Sequence, residues 1–258
     1  MQMTSELSVE TQPRRERSKP KPWQFGTVTE VIVETPETNT LRIMVPDPTK
    51  FVPGQYYNIR IPVEGRERPI QRAYSVGSSP VPDPSVIDVG IREALGGLVS
   101  PILVRNLASG DQVEIRGPYG AFTWTEKDPG PLLLIGAGSG VVPLMSMIRY
   151  QVAIGTQHGM HLLFSSRTRE YAIYASELLQ LEAMHPWLNV SHTFTRDPHD
   201  SAARYHRRID SDMVKEVYKE TEPTLAYICG PPEVVEKVES VLLELGMAKD
   251  AVRTEKYD

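Results

Sequence analysis

Cysteine is almost absent: Cys229 is the one thiol in 258 residues. A lone thiol excludes an internal disulfide, a four-cysteine zinc site and an iron–sulfur cluster held by the chain's own cysteines. The same scarcity points to a cytoplasmic setting, because chains of oxidising compartments usually carry paired cysteines. Long hydrophobic runs are missing too, none approaching the roughly 18 residues of a membrane span. The N-terminal stretch MQMTSELSVETQPRRERSKPKPW lacks the apolar core of a secretory signal. Nor is there an excess of positive charge: 28 Lys and Arg stand against 33 Asp and Glu, with a pI near 5.8. That balance argues against an electrostatic nucleic-acid binder. Histidine is sparse, and the one close pair, His158 and His161, has no third ligand near it in sequence, so no metal site is expected.

An apolar content of 40% supports a real core, and the length suits one large or two modest domains. Residues 1–22 are polar, charged and proline-containing, the composition of a solvated, disordered tail. Docking of an acidic partner on its basic cluster (Arg14, Arg15, Arg17, Lys19, Lys21) is the less favoured reading of that segment. From Trp23 to about Trp124 the patterns are those of β-strands. GTVTEVIVET and TLRIMVP flank the turn-like PETN, and QYYNIRIP, RAYSVGS, VIDVGIRE and DQVEIRGP follow between Pro, Gly and Asp clusters. Six strands at this spacing, with one helix expected over 98–107, predict a small antiparallel β-barrel over residues 23–127.

After the loop TEKDPGP the period changes. PLLLIGAG is a continuous apolar run bounded by glycine, as for a strand buried on both faces. Helix-like VVPLMSMIRYQVAI, strand HLLFSS, helix YASELLQLEAM and strand VSHTFT follow. Helix SDMVKEVY, strand LAYICGP, helix PEVVEKVESVLLELG and a terminal strand VRTEKY complete the chain. This alternation predicts an α/β, doubly wound parallel sheet over residues 128–258.

The stretch GAGSGVVP follows the first apolar strand and opens a helix. Gly136, Gly138 and Gly140 permit a tight turn and close backbone approach, and Ser139, Val141 and Pro143 complete the turn and the helix start. Amide N–H groups and the helix dipole there suit a diphosphate. The spacing is G-x-G-x-G-x-x-P rather than G-x-G-x-x-G, and no acidic residue stands about 20 positions on, where ribose recognition would want it. Ser165, Ser166, Arg167 and Arg169 occupy that region instead, and hydroxyl and guanidinium groups suit an additional phosphate. GGLVS, residues 96–100, repeats the device in the first half: Gly96 and Gly97, then Leu98, Val99 and Ser100 at a helix start. Two phosphate sites in two domains imply two nucleotide cofactors.

FVPGQYYNI, RAYS, GGLVS, GPYG, GAGSGVVP, CGPPE and the terminal TEKY occur in one order along the chain. That order resembles the ferredoxin–NADP reductase superfamily, and within it the bacterial reductase components of oxygenase systems. The resemblance covers nearly everything after the tail. It implies an FAD-dependent NAD(P)H oxidoreductase that passes hydride from nicotinamide to flavin N5 and then electrons to a separate ferredoxin-like, haem or oxygenase partner. FAD is favoured over FMN and NADPH over NADH. By this resemblance Arg72 holds the flavin diphosphate together with Gly97, Leu98, Val99 and Ser100. Tyr74 lies against the isoalloxazine ring and Ser75 reaches its N5, with Ala73, Val89 and Ile91 counted among the flavin-binding residues. The GAGSGVVP turn takes the nicotinamide dinucleotide's diphosphate, while Ser166, Arg167, Thr195 and Arg196 face its adenosine end; Arg204 and Tyr205 match only loosely. Cys229, Gly230 and Pro231 bring the nicotinamide towards the flavin, Tyr257 is a flavin neighbour and Glu255 a proton or polarity partner.

Two features depart from that pattern. The aromatic Tyr257 stands one residue before the end, and no iron–sulfur domain is legible in these residues, so the electrons must leave to a separate molecule. A diffusible flavin or small-molecule reductase and a non-catalytic electron-transfer subunit remain the alternatives. Arg72 and Tyr74 share a face of their strand and Ser75 takes the other, so a role for Ser75 at the same ring requires the strand to end or bulge there.

Overall fold

The computed structural model describes residues 21–257. The tail expected over 1–22 lies, through residue 20, outside the described residues, as do four of the five members of its basic cluster.

The first half contains β1 (Gln24–Thr35), β2 (Thr38–Met44), β3 (Tyr56–Ile61), β4 (Ile70–Ser75), β5 (Val86–Arg92), α1 (Ser100–Arg105) and β6 (Gln112–Tyr119). The strands pair antiparallel in the order β4-β3-β6-β1-β2-β5. The two outer strands are brought together just past Ser75: Val76 bridges Val89, and the Gly77 amide donates to the Asp88 carbonyl at 2.7 Å. This closes the sheet into the expected barrel. Alternate residues face inward, so Leu41, Ile43, Tyr57, Ile59, Val89, Ile91, Val113 and Ile115 fill the interior. The helix is shorter than the expected 98–107. Residues 94–97 form a turn, with the Gly97 amide donating to the Ala94 carbonyl, and helical geometry starts only at Ser100. Leu103 anchors α1 in the barrel core.

The second half alternates β7 (Leu132–Ala137), α2 (Val141–Ile154), β8 (Met160–Ser166), α3 (Ala175–Met184), β9 (Leu188–Phe194), α4 (Ser211–Thr221), β10 (Leu225–Gly230), α5 (Pro232–Glu244) and β11 (Val252–Lys256). Its sheet is parallel throughout, ordered β11-β10-β7-β8-β9. Alternation in β7 explains its unbroken apolar run: Leu132 and Leu134 face the core beneath α2 and α3, while Leu133 and Ile135 face α4 and α5. Phe122 and Trp124, beyond the last barrel strand, pack into the core under α2.

The halves interlock. Ser146 and Arg149 on α2 donate to the Ser78 and Gly77 carbonyls at 2.7 and 2.8 Å. Arg149 also pairs with Glu177 and lies 4.6 Å over the Tyr174 ring. The Tyr174 hydroxyl reaches into the barrel, 3.4 Å from Thr40 Oγ1. A Cβ on Gly77 or Gly90 would stand 2.8 or 3.1 Å from that hydroxyl.

Candidate active site

Strand order reverses between β7 and β10, because the chain lays β8 and β9 to one side and β10 and β11 to the other. Open α/β sheets form a ligand crevice at the carboxyl ends of the strands at such a point. Here those ends carry GAGSG after β7 and CGPP after β10. Residues 138–140 make a single 3-10 turn into α2. Gly138 adopts φ +56, a conformation other residues resist. Gly140 is required by contact: a Cβ there would lie 2.1 Å from the Cys229 carbonyl oxygen. That close approach joins the turn to β10 and fixes where Cys229 sits. Gly136, Gly140, Val141, Pro143 and Gly230 are buried parts of this scaffold and line neither cavity described below.

A cleft of about 450 Å³ between barrel and sheet gathers Arg72, Ala73, Tyr74, Ser75, Gly97, Leu98, Val99 and Ser100 with Ser139, Cys229, Glu255 and Tyr257. All four consecutive residues Arg72–Ser75 line the cleft, so it meets the outer strand β4 along this stretch and not by one face alone. Val89 and Ile91 do not line it. Their side chains are fully buried in the barrel core, and the alternate positions Gly90 and Arg92 face the cleft instead. Gly96 lies in the exposed turn ahead of α1, outside the lining. Arg72 is exposed and has no carboxylate partner among the described residues; its guanidinium donates to the Gln71 carbonyl at 2.8 Å.

Ser75 Oγ donates to Glu255 Oε1 at 3.4 Å, and Glu255 stands opposite Cys229 in the β10–β11 register. Burial pushes the Glu255 carboxyl above the usual carboxylate range, partly offset by Ser75. Burial, then the Glu255 charge, pushes the Cys229 thiol well up, so it is a neutral, soft contact rather than a thiolate nucleophile. The Tyr74 phenol, pushed up to about 12 by burial, stays protonated.

A second cleft of about 390 Å³ lies over the ends of β7, β8 and β9 and takes in Gly138, Ser166, Arg167, Thr195, Arg196, Pro231 and Tyr257. Its two loops are tied together: the Thr195 amide donates to Ser166 O at 3.0 Å and the Arg196 amide to Arg167 O at 2.8 Å. Arg196 and Arg208 line it without a carboxylate partner among the described residues. Arg204 and Tyr205 do not: Arg204 pairs with Glu216 and Glu220 on α4, and the Tyr205 hydroxyl donates to Glu216 at 2.8 Å. Arg92 and Tyr257 line both clefts, which therefore adjoin. The Tyr257 hydroxyl donates to the Ala137 carbonyl across the junction. His161, remote from both clefts, bonds Ser191 and Thr221 through its two ring nitrogens, and His158 packs edge-on against Trp124.

The lining residues not anticipated from sequence are chiefly Arg92, Arg208 and Glu37. Arg92 was legible through the period of two that puts it beside Gly90. Glu37 was not, because it enters the second cleft from a barrel turn 130 residues before its partner Arg167. The clefts fit two elongated phosphate-bearing ligands. Each half has a glycine-containing turn running into a helix and at least one guanidinium free of a carboxylate, and the halves meet around a ring, a thiol and a hydroxyl.

Comparison with known proteins agrees with this division. The model of the oxidoreductase FAD-binding domain matches residues 26–124, and that of the oxidoreductase NAD-binding domain matches residues 134–240. A ferredoxin–NAD(P)(+) reductase component of naphthalene 1,2-dioxygenase/salicylate 5-hydroxylase systems from Ralstonia is 30% identical over 237 residues, 90% of this chain and 68% of the relative. Ferredoxin–NADP reductase B of Sorangium cellulosum is 32% identical over 215 residues, 81% of this chain and 86% of the relative. Among solved structures, a cytochrome P450 reductase from Amycolatopsis superposes with a TM-score of 0.78 at 25% identity, covering 93% of this chain and 71% of that one.

Proposed function

The chain belongs to the ferredoxin–NADP reductase family, an FAD-binding oxidoreductase domain joined to an NAD-binding one, and on that premise we propose that it carries electrons from NADPH through FAD to a separate acceptor protein of an oxygenase system. What carries the reading is the junction of the two clefts, where Ser75, Cys229, Glu255 and Tyr257 stand between the two phosphate-binding turns. Bound flavin would supply the hydride acceptor and the conversion of a two-electron donor into single-electron steps.

The residues divide that work by position. Arg72 offers a guanidinium to the flavin diphosphate, and the turn before α1 offers backbone N–H groups. Tyr74 presents a neutral ring to one face of the flavin. The Ser75 hydroxyl stands at the reacting edge, and Glu255 beside it retains a proton to higher pH than an ordinary carboxyl. On the nucleotide side, the turn at Gly138 and Ser139 takes the diphosphate, and Cys229 and Pro231 abut the nicotinamide. Tyr257 lines both clefts where they meet, so it would border both the flavin and the nicotinamide when they are bound. Thr195, Arg196 and Arg208 favour NADPH over NADH, because two unpaired guanidinium groups match a 2′-phosphate better than a ribose hydroxyl. Leu95 and Leu98, both exposed in the loop ahead of α1, give the flavin end an apolar edge suited to a protein acceptor. A cytoplasmic location suits the lone reduced thiol.

Anaerobic mixing of the FAD-loaded protein with NADPH or NADH tests the reading. Flavin absorbance should bleach with both and faster with NADPH, and Arg72→Ala should lose FAD on gel filtration while remaining folded. Failure to retain flavin even after addition of FAD would sink the reading.

A further inference from the structure

The β1–β2 turn places Glu37 in the nucleotide cleft, although it belongs to the other domain. Its carboxylate pairs with Arg167 and lies 3.4 Å from Arg92 Nε. One side chain thus ties the nucleotide half, through Arg167, to the arginine shared by both clefts. The turn itself is anchored. The Glu93 amide donates to the Glu37 carbonyl at 2.7 Å, and the Glu37 amide donates to Thr35 Oγ1 at 3.3 Å. Backbone and side chain therefore differ in freedom: the carboxylate can leave by changing rotamer while the turn stays.

Arg167 has a second support. Its guanidinium lies 3.9 Å over the Tyr171 ring, a stacking contact that uses the guanidinium face and not its N–H donors. Glu37 consequently adds little to the placement of Arg167 and mainly occupies its N–H donors. The neighbouring cations Arg196 and Arg208 have no such occupant among the described residues.

We propose that Glu37 is an interdomain latch on the nucleotide cleft, a built-in anion that holds Arg167 until a phosphorylated nucleotide takes the guanidinium from it. The inference rests on the reading of this cleft as the NADPH site. The competition falls hardest on ligands with an additional dianionic phosphate at the adenosine end. They gain most from a free Arg167, and the carboxylate opposes them by like charge.

The test uses the FAD-loaded full chain and two probes, 2′,5′-ADP and 5′-AMP, with affinities from calorimetry. Glu37→Gln keeps the shape and removes the charge. It should tighten 2′,5′-ADP binding by about two- to five-fold, the range covered by a half-exposed ion pair, and change 5′-AMP less. Glu64→Gln, an exposed carboxylate of the same domain with no partner among the described residues, controls for net charge and should leave both affinities unchanged. Thermal midpoints of the parent and all three variants check that folding is intact, and the third variant, Glu37→Asp, should give an intermediate affinity. Unchanged or weaker 2′,5′-ADP binding in Glu37→Gln, or equal tightening in Glu64→Gln, overturns the latch alone. Failure of every form to bind either probe overturns the nucleotide-site reading and the latch with it.

Discussion

Glu255 is the ionisable group whose state matters most beside Ser75. It has a hydroxyl and a neutral thiol for neighbours and no cation hydrogen-bonded to it among the described residues, so burial raises its pKa and the Ser75 contact only partly offsets the rise. The consequence for stability has a definite sign. Below the ordinary carboxylate range the folded and unfolded chains both hold the proton, and the group is silent. Above it the unfolded chain releases the proton while the folded chain keeps it, so stability falls with rising pH until the folded carboxyl also ionises. Denaturant midpoints measured from the carboxylate range to mildly alkaline pH should show this decline in the parent and a shallower one in Glu255→Gln. Parallel profiles would mean that Glu255 is not shielded from solvent. The neighbouring thiol, also raised by burial, adds a decline of the same sign only as the pH nears the ordinary thiol range of about 8.5, so the parent and Glu255→Gln are compared below it.

At the scale of elements, the strands and helices were legible because two periods and their punctuation agree with tertiary demand. β7 reads as an unbroken apolar run since helices cover both its faces, and RAYS reads as polar and aromatic since β4 meets a cleft. The lining of the clefts was legible where a local motif carries it, as in the turns at Gly97 and Gly138. It was misread where side-chain alternation decides, at Val89 and Ile91 against Gly90 and Arg92. It was silent at Glu37, which a distant turn delivers and no local pattern marks. The turn between β7 and α2 also shows what a motif glycine is for. Gly140→Ala sets a Cβ 2.1 Å from the Cys229 carbonyl oxygen, a backbone contact that no rotamer relieves. The variant should lose about 2 kcal/mol of unfolding free energy, within the usual range of overpacking, measured by urea denaturation. It should also displace Cys229 from the junction, which is read as slower flavin reduction by NADPH. A stability equal to that of the parent would show that β10 yields to the turn.

Across the whole molecule, the two halves adjoin at the clefts, and the partly buried Arg149 is one of the contacts that hold those walls in register. Arg149 satisfies Glu177 and the Gly77 carbonyl and lies against Tyr174. Arg149→Met keeps the apolar stem and removes the charge, leaving Glu177 partly exposed at 39% and the carbonyl without its donor. The expected loss is about 2 kcal/mol, below the 3–5 of a fully buried pair because water reaches Glu177. Unfolding followed by separate probes in barrel and sheet should then no longer coincide; coincident transitions in the variant would assign the coupling elsewhere. The Tyr174 hydroxyl, seated against Thr40 and the bare backbones of Gly77 and Gly90, also sets a rule for recombination. A gene fusion that grafts a relative's nucleotide half onto this barrel has to bring these positions as a matched set. A side chain at either barrel glycine would strike the incoming ring, and a smaller residue at 174 would leave a hole between the modules. By this geometry the halves form a fitted pair, not interchangeable parts.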